Sequence, residues 1–105
     1  MNIINALNWR YATKSMNGNT VPQEKVDLIL ESIRLSASSA GFQPYQVFVI
    51  QNKELLEKIK PIAFNQPQIT DASQLLVFAA WGRVTTERVD AMIKNIVRVR
   101  NVSED

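Results

Sequence analysis

Two cations follow a short apolar stretch near the beginning of the chain. Arg10 and Lys14 lie four residues apart, with Thr13 between them, in the segment WRYATK. An arginine binds a phosphate through two parallel hydrogen bonds, and a nearby lysine adds a positive point charge. The same cations also suit the negative end of a helix dipole, where they need no ligand. The segment therefore indicates either a phosphate site or an ordinary protein surface.

A small, polar segment runs from Ser38 to Tyr45, with the sequence SSAGFQPY. Small hydroxyl residues and glycine let a backbone approach a planar or phosphorylated ligand closely. Serine, glycine and proline are also the residues that ordinarily connect a helix to a strand. This segment alone does not distinguish a ligand-binding loop from an ordinary connection between a helix and a strand.

A third polar segment, from Phe64 to Ser73, precedes an apolar run. The amides of Asn65 and Gln68 in this segment can both donate and accept hydrogen bonds, as the edge of a heterocycle requires. The alternative is a polar turn in which Asp71 or Ser73 serves local backbone hydrogen bonds.

The composition limits the chemistry that such segments can support. The chain has 105 residues, 46% of them hydrophobic, and a net charge of +2, which favours a single domain over residues 1–105. It contains no cysteine and no histidine, so thiolate nucleophiles, disulfides and the commonest general base are excluded. We see no signal peptide and no apolar run long enough for a membrane span, and we expect a soluble, cytoplasmic protein.

Apolar residues at helical spacing predict four helices. The first ends near Arg10, the second follows a cap and capping box at Thr20–Gln23, the third follows Asn52, and the last follows Thr85 or Thr86. Strands are predicted at residues 45–50 and 75–81, and the continuous apolar character of the second predicts a central strand covered on both faces. Because two strands rarely form a stable sheet, further strands are expected from another segment or a second copy.

The cations of the last helix raise the alternative of nucleic-acid binding. No aromatic residue lies among these cations, and Glu87 and Asp90 are interspersed with them. Stacking platforms for single-stranded nucleic acid are therefore lacking, and no nucleic-acid partner is expected.

The three polar segments occur in one order and at consistent separations. Arg-x-x-x-Lys after a short helix, Ser-Ser-x-x-x-Gln-Pro-aromatic before a strand, and Asn-Gln-Pro-Gln with Asp-Ala-Ser before an apolar strand together resemble the N-terminal half of the FMN-dependent nitroreductase family. The resemblance covers nearly all of the chain. It implies an α+β fold, a helix–sheet–helix sandwich that is incomplete here, with about four helices and two strands.

The resemblance also implies which residues contact the flavin. By this likeness Arg10, with Tyr11 and the backbone at Ala12, binds the phosphate and ribityl chain, and Lys14 lies at the pyrimidine edge of the ring. The remaining contacts implied are Ser38, Ser39, Asn65 and Gln68, the two serines reaching the flavin of a partner subunit. The chain departs from the family pattern at four positions, namely Ala12, Ala37, Gly41 and Gln68.

The function that the resemblance implies is an FMN-dependent NAD(P)H oxidoreductase, or nitroreductase, that forms a homodimer with shared flavin sites. Hydride would pass through the flavin to a small nitroaromatic or quinone-like acceptor, so that the protein needs no nucleophile and no metal of its own. The alternative is a catalytically inactive, truncated module of the same fold that acts through oligomerisation.

Overall fold

The computed structural model describes residues 2–103, which form five α-helices and two β-strands. In chain order these are α1 (Ile3–Trp9), α2 (Gln23–Leu35), β1 (Tyr45–Ile50), α3 (Lys53–Ile59), α4 (Gln68–Asp71), β2 (Leu75–Ala80) and α5 (Thr86–Arg100). A single 3-10 turn, Ser39–Gly41, lies between α2 and β1. The predicted helices and strands are confirmed, and α4 is an addition within the segment expected to be a polar turn.

Three of the helices begin where a polar side chain supplies an N-cap. The side-chain oxygens of Asn2, Asn52 and Thr85 accept hydrogen bonds from the backbone N–H three residues further on, at 2.9, 2.9 and 3.4 Å. These bonds satisfy N–H groups that have no partner within the helix, which is why such residues favour helix starts. The caps predicted at Asn52 and Thr85 are therefore confirmed.

The beginning of α2 differs from the sequence-based expectation. The helix begins at Gln23, and the Gln23 side-chain amide donates to the Asp27 carboxylate at 2.8 Å. The predicted capping box at Thr20 is wrong, because it requires Gln23 to be the third residue of the helix, and Gln23 is the first.

The two strands form an antiparallel pair. A hydrogen bond of 2.8 Å from the Trp81 N–H to the Pro44 carbonyl joins the end of β2 to the beginning of β1. The prediction that β2 is covered on both faces is wrong for this chain, since Phe78 is 58% exposed and Leu75–Val77 are only half-buried. A strand is buried on both faces only where helices or a second sheet pack over each face, and within the described residues the Phe78 side chain is left largely uncovered.

The described residues divide into two compact units. The first unit comprises residues 2–22 and 49–75, and the second comprises residues 23–48 and 76–103. The first unit contains the fully buried Leu56 of α3, and the second contains Val26 of α2, which is 1% exposed. Each unit is therefore organised around one helix with an apolar side chain removed from water. The single-domain assignment stays a prediction.

None of the helices within residues 2–103 is long and apolar enough to cross a membrane.

Candidate functional site

The segment that follows α1 presents two cations in the first unit. Arg10 caps the helix, with its N–H donating to the Ala6 carbonyl at 3.0 Å, and its backbone then turns extended. The Thr13 N–H donates to the Tyr11 carbonyl at 3.1 Å, which makes a tight turn between Arg10 and Lys14. Both cations are exposed, and neither forms an ion pair with another residue of the described chain. Their charges are therefore available to an anionic ligand.

Aromatic side chains flank Arg10 on both sides in the sequence. Trp9 is 78% exposed and Tyr11 is 81% exposed, although rings of this size usually lose most of their surface on folding. Tyr11 is among the residues predicted from the sequence to contact a ligand, and Trp9 is a further candidate on account of its exposure. The signal that could have found it is an aromatic residue placed directly before the candidate phosphate-binding arginine.

The turn that carries Asn65 has an unusual backbone. Phe64 and Asn65 both adopt positive φ, at 57° and 53°, and the Asn65 N–H closes the end of α3 by donating to the Lys60 carbonyl at 2.9 Å. Asparagine tolerates this left-handed region, whereas a bulky residue such as phenylalanine is a genuine outlier there. The Phe64 ring is 89% exposed, so burial of the ring does not offset the strain. Strain of this kind concentrates at functional sites.

Asn65 and Gln68, the two amide residues predicted to contact a ligand, lie close in sequence but differ in solvent exposure and secondary structure. Asn65 is exposed on the turn, while Gln68 is the half-buried first residue of α4. The Gln68 amide donates to the Gln66 side-chain oxygen at 3.4 Å, a long and weak contact. Both amides are thus able to bond to another partner.

Ser38 closes the loop that precedes β1 in the second unit. Its Oγ accepts a hydrogen bond of 2.9 Å from the Gln43 N–H, and the Gln43 amide in turn donates to the Arg34 carbonyl at 2.6 Å. Ala40 and Gly41 adopt positive φ, at 51° and 70°, which folds the loop tightly. The Ser38 oxygen is therefore used within the loop, while its O–H is left to donate, and Ser39 is exposed beside it.

A groove of about 380 Å³ lies next to this loop within the second unit. Its lining is mostly apolar and aromatic, with the side chains of Leu30, Ile33, Arg34, Phe42, Gln43, Tyr45, Val47 and Trp81. Arg34 forms a two-pronged ion pair with Glu31 at 2.6 and 2.7 Å. That hydrogen bonding lowers the pKa of Glu31 and raises the pKa of Arg34 from their ordinary values. Arg34 is consequently a paired cation, whereas Arg10 and Lys14 have no ion-pair partner in the described part of the chain.

Six of the eight predicted site residues lie in the first unit, and two lie in the second. The first unit holds Arg10, Tyr11, Ala12, Lys14, Asn65 and Gln68, and the second holds Ser38 and Ser39. The assignment of these residues to a flavin stays a prediction.

Comparison with known proteins decides the family. The sequence profile of the nitroreductase family matches residues 7–101, which is most of the chain and includes all eight predicted site residues. The chain belongs to the nitroreductase family.

Relatives of this nitroreductase-family chain include enzymes named for their electron donor. It is 36% identical over 105 residues to a protein of Staphylococcus saprophyticus named as a candidate NAD(P)H nitroreductase, covering 96% of this chain and 48% of that protein. It is 30% identical over 109 residues to the major NAD(P)H-flavin oxidoreductase of Aliivibrio fischeri, covering 98% and 50%. The chain therefore spans about half the length of these relatives.

The fold agrees with a solved structure of the family. A crystal structure from Staphylococcus epidermidis, described as a candidate NAD(P)H:FMN oxidoreductase, superposes with a TM-score of 0.78 at 26% identity and covers 99% of this chain and 49% of that one. The nitroreductase-like α+β fold predicted from the sequence is confirmed. The nitroreductase-family chain thus shares the fold of about half of that molecule.

Proposed function

We propose that this nitroreductase-family chain binds FMN and serves an NAD(P)H-dependent oxidoreductase that acts on nitroaromatic or quinone-like acceptors. The observation that carries the proposal is a pair of exposed cations, Arg10 and Lys14, which directly follow α1 in the matched region and have no ion-pair partner within residues 2–103. The names of its relatives, which include an NAD(P)H-flavin oxidoreductase, support the same chemistry.

The donor set of the first unit fits the flavin cofactor. A phosphate monoester carries between one and two negative charges at neutral pH and needs cations that are not already paired. Arg10 meets this need, because no carboxylate among the described residues neutralises it. Asn65, exposed on its strained turn, and Gln68 offer the mixed donor and acceptor groups that the edge of the ring requires.

FMN, when bound, would supply the hydride-transfer chemistry between NAD(P)H and the acceptor. The protein contributes binding and electrostatics. Lys14 would place a positive charge near the ring and so stabilise the reduced, more negative cofactor. In the proposed homodimer, Ser38 would donate its O–H to the flavin of the partner subunit, since its oxygen already accepts from the Gln43 N–H.

We propose a homodimer as the functional state, located in the cytoplasm. Large apolar side chains are exposed in both units, including Ile3 and Leu7 of α1 and Phe48 and Phe78 of the two strands. A surface of this kind is typical of protein–protein contacts. A single monomeric species in sedimentation analysis at micromolar concentration would contradict this part of the proposal.

The test is FMN titration of the purified chain, followed by flavin fluorescence. We expect Arg10→Ala to weaken FMN binding about tenfold, because the loss of an exposed charge-assisted hydrogen bond costs about 1.5 kcal/mol. Arg100→Ala, which removes an exposed cation from the last turn of α5, is the matched control and should bind FMN like the unaltered chain. A chain that takes up no FMN, or equal affinities for the two variants, would refute the proposal.

The second candidate function is a catalytically inactive module of the same fold that acts through self-association. The exposed apolar residues favour it, because they promote oligomers whether or not FMN binds. A colourless, oligomeric protein that does not take up added FMN would establish this alternative.

A further inference from the structure

The short helix α4 is held by contacts from outside its own segment. It has only four residues, Gln68–Asp71, and Pro67 before it makes no side-chain capping hydrogen bond. A helix of this length gains too little from its own hydrogen bonds to persist alone. Its position must therefore depend on the neighbouring helix α3, against which it packs.

The Lys53 side chain bridges the two helices at the C-terminal end of α4. Its Nζ donates to the carbonyls of Thr70 and Ala72, at 3.1 and 3.4 Å. Carbonyls at the end of a helix have no partner within it, and a positive charge there is also favoured by the helix dipole. One ammonium group thus satisfies two carbonyls that α4 itself cannot satisfy.

Two lysines, Lys53 at the start of α3 and Lys60 at its C-cap, bond to residues of α4 from one face of the helix. Lys53, Leu56 and Lys60 are spaced by three and four residues, which places them one above another. Leu56 is fully buried between the two lysines, and the Lys60 Nζ donates to the Thr70 hydroxyl at 3.5 Å. Of the two ammonium groups, that of Lys53 makes the shorter hydrogen bonds, and only its bonds are made to backbone carbonyls.

We propose that Lys53 is a positioning residue for Gln68, and that it acts by fixing α4. Gln68 is the first residue of the helix whose C-terminal carbonyls Lys53 holds, so loosening of α4 displaces the Gln68 amide. The inference rests on the proposed function, in which Gln68 contacts the flavin. Under this inference Lys53 does not contact the flavin itself, and it influences FMN affinity through the position of the Gln68 side chain.

The first measurement needs no cofactor. Amide hydrogen exchange is compared for the Asp71 and Ala72 N–H groups, which donate to the Pro67 and Gln68 carbonyls. In Lys53→Met we expect this exchange to accelerate about fivefold, because two charge-assisted hydrogen bonds are lost at an exposed position. Lys58→Met is the matched control, since it removes an exposed lysine from the last turn of the same helix, and it should leave the exchange unchanged.

The second measurement is FMN titration of the same variants. We expect Lys53→Met to weaken FMN binding by up to fivefold, Lys53→Arg to restore most of the affinity, and Lys58→Met to have no effect. In a Gln68→Ala background the Lys53→Met substitution should have no further effect on affinity, because its influence passes through that amide.

The outcomes separate the inference from the function on which it rests. Unchanged exchange in Lys53→Met would overturn the role of Lys53 in holding α4. Accelerated exchange with unchanged FMN affinity, or an undiminished effect of Lys53→Met in the Gln68→Ala background, would overturn positioning and leave a structural contact only. An unaltered chain that binds no FMN would overturn the proposed function and the positioning role together, while the exchange comparison would still decide whether Lys53 holds α4.

Discussion

Because the backbone at Phe64 is left-handed, we expect glycine to be more stabilising than alanine at this position, the reverse of their usual order. In an ordinary helical or extended conformation, alanine is more stabilising than glycine. At Phe64, where φ is 57°, we expect Phe64→Gly to be more stable than Phe64→Ala. The side chain is 89% exposed, so both substitutions remove little buried apolar surface, and the comparison isolates the backbone.

The size of the difference follows from two opposing contributions. A residue with a Cβ atom pays about 1–2 kcal/mol in the left-handed region, and glycine pays almost nothing there. Glycine loses about 0.4–1 kcal/mol more than alanine in chain entropy on folding. The net preference for glycine is therefore about 1 kcal/mol, or about 4 °C in the midpoint of thermal unfolding for a chain of this size.

The assay is urea unfolding and thermal unfolding of both variants, with a control pair in the same unit. Glu57 lies in the middle of α3 and is exposed, so Glu57→Ala should exceed Glu57→Gly in stability by about 1 kcal/mol. The sign of the difference between alanine and glycine should thus reverse between positions 57 and 64. If Phe64→Ala matches or exceeds Phe64→Gly, the strained turn beside Asn65 is refuted.

Three further outcomes follow from local contacts. Asn52→Ala should lower the free energy of unfolding by about 1 kcal/mol, measured in urea, because α3 loses its N-cap. The pKa of Glu31, followed by NMR, should lie below its ordinary value and return to it in Arg34→Gln, since the guanidinium hydrogen bond is the main cause of the shift. Lys14→Ala should lower the two-electron reduction potential of bound FMN by about 20 mV, from a loss of about 1 kcal/mol of charge stabilisation.

Each of these outcomes has its own contradicting result. Unchanged stability of Asn52→Ala would contradict the cap. Because the pKa of Glu31 is lowered in the folded chain, its ion pair contributes stability above the ordinary carboxyl pKa and loses it as the pH falls through the lowered value. Stability of the Glu31–Arg34 pair that instead increased in acid would contradict the assignment. An unchanged or higher potential in Lys14→Ala would place that lysine away from the flavin ring.

The sequence was informative wherever a signal is local. The N-cap of α3 requires only an asparagine three residues before a backbone N–H, and Asn52 supplies it. The loop before β1 is marked by serine, glycine and proline, and the structure folds it tightly through Ser38 and Gln43. The order of the three polar segments sufficed to identify the family, and the match over residues 7–101 confirmed it.

The sequence was misleading wherever a neighbour decides the outcome. The continuous apolar run of β2 predicts burial on both faces, yet Phe78 is largely exposed because no layer within the described residues packs over that side chain. One local pattern also misled: residue types suggested a capping box at Thr20, but α2 begins only at Gln23.

Residue types and their spacing therefore determined the family of this chain, both strands, the helices other than α4, and the cations that follow α1. These properties depend on hydrogen bonds and periodicity within a few residues. Only the tertiary structure decided that Arg10 and Lys14 are exposed and have no ion-pair partner within the described residues. It also decided that residues 68–71 form the helix α4, which Lys53 contacts through a hydrogen bond to the Thr70 carbonyl. The physical reason is that the contact between Lys53 and Thr70 joins residues 17 positions apart, which no local pattern encodes.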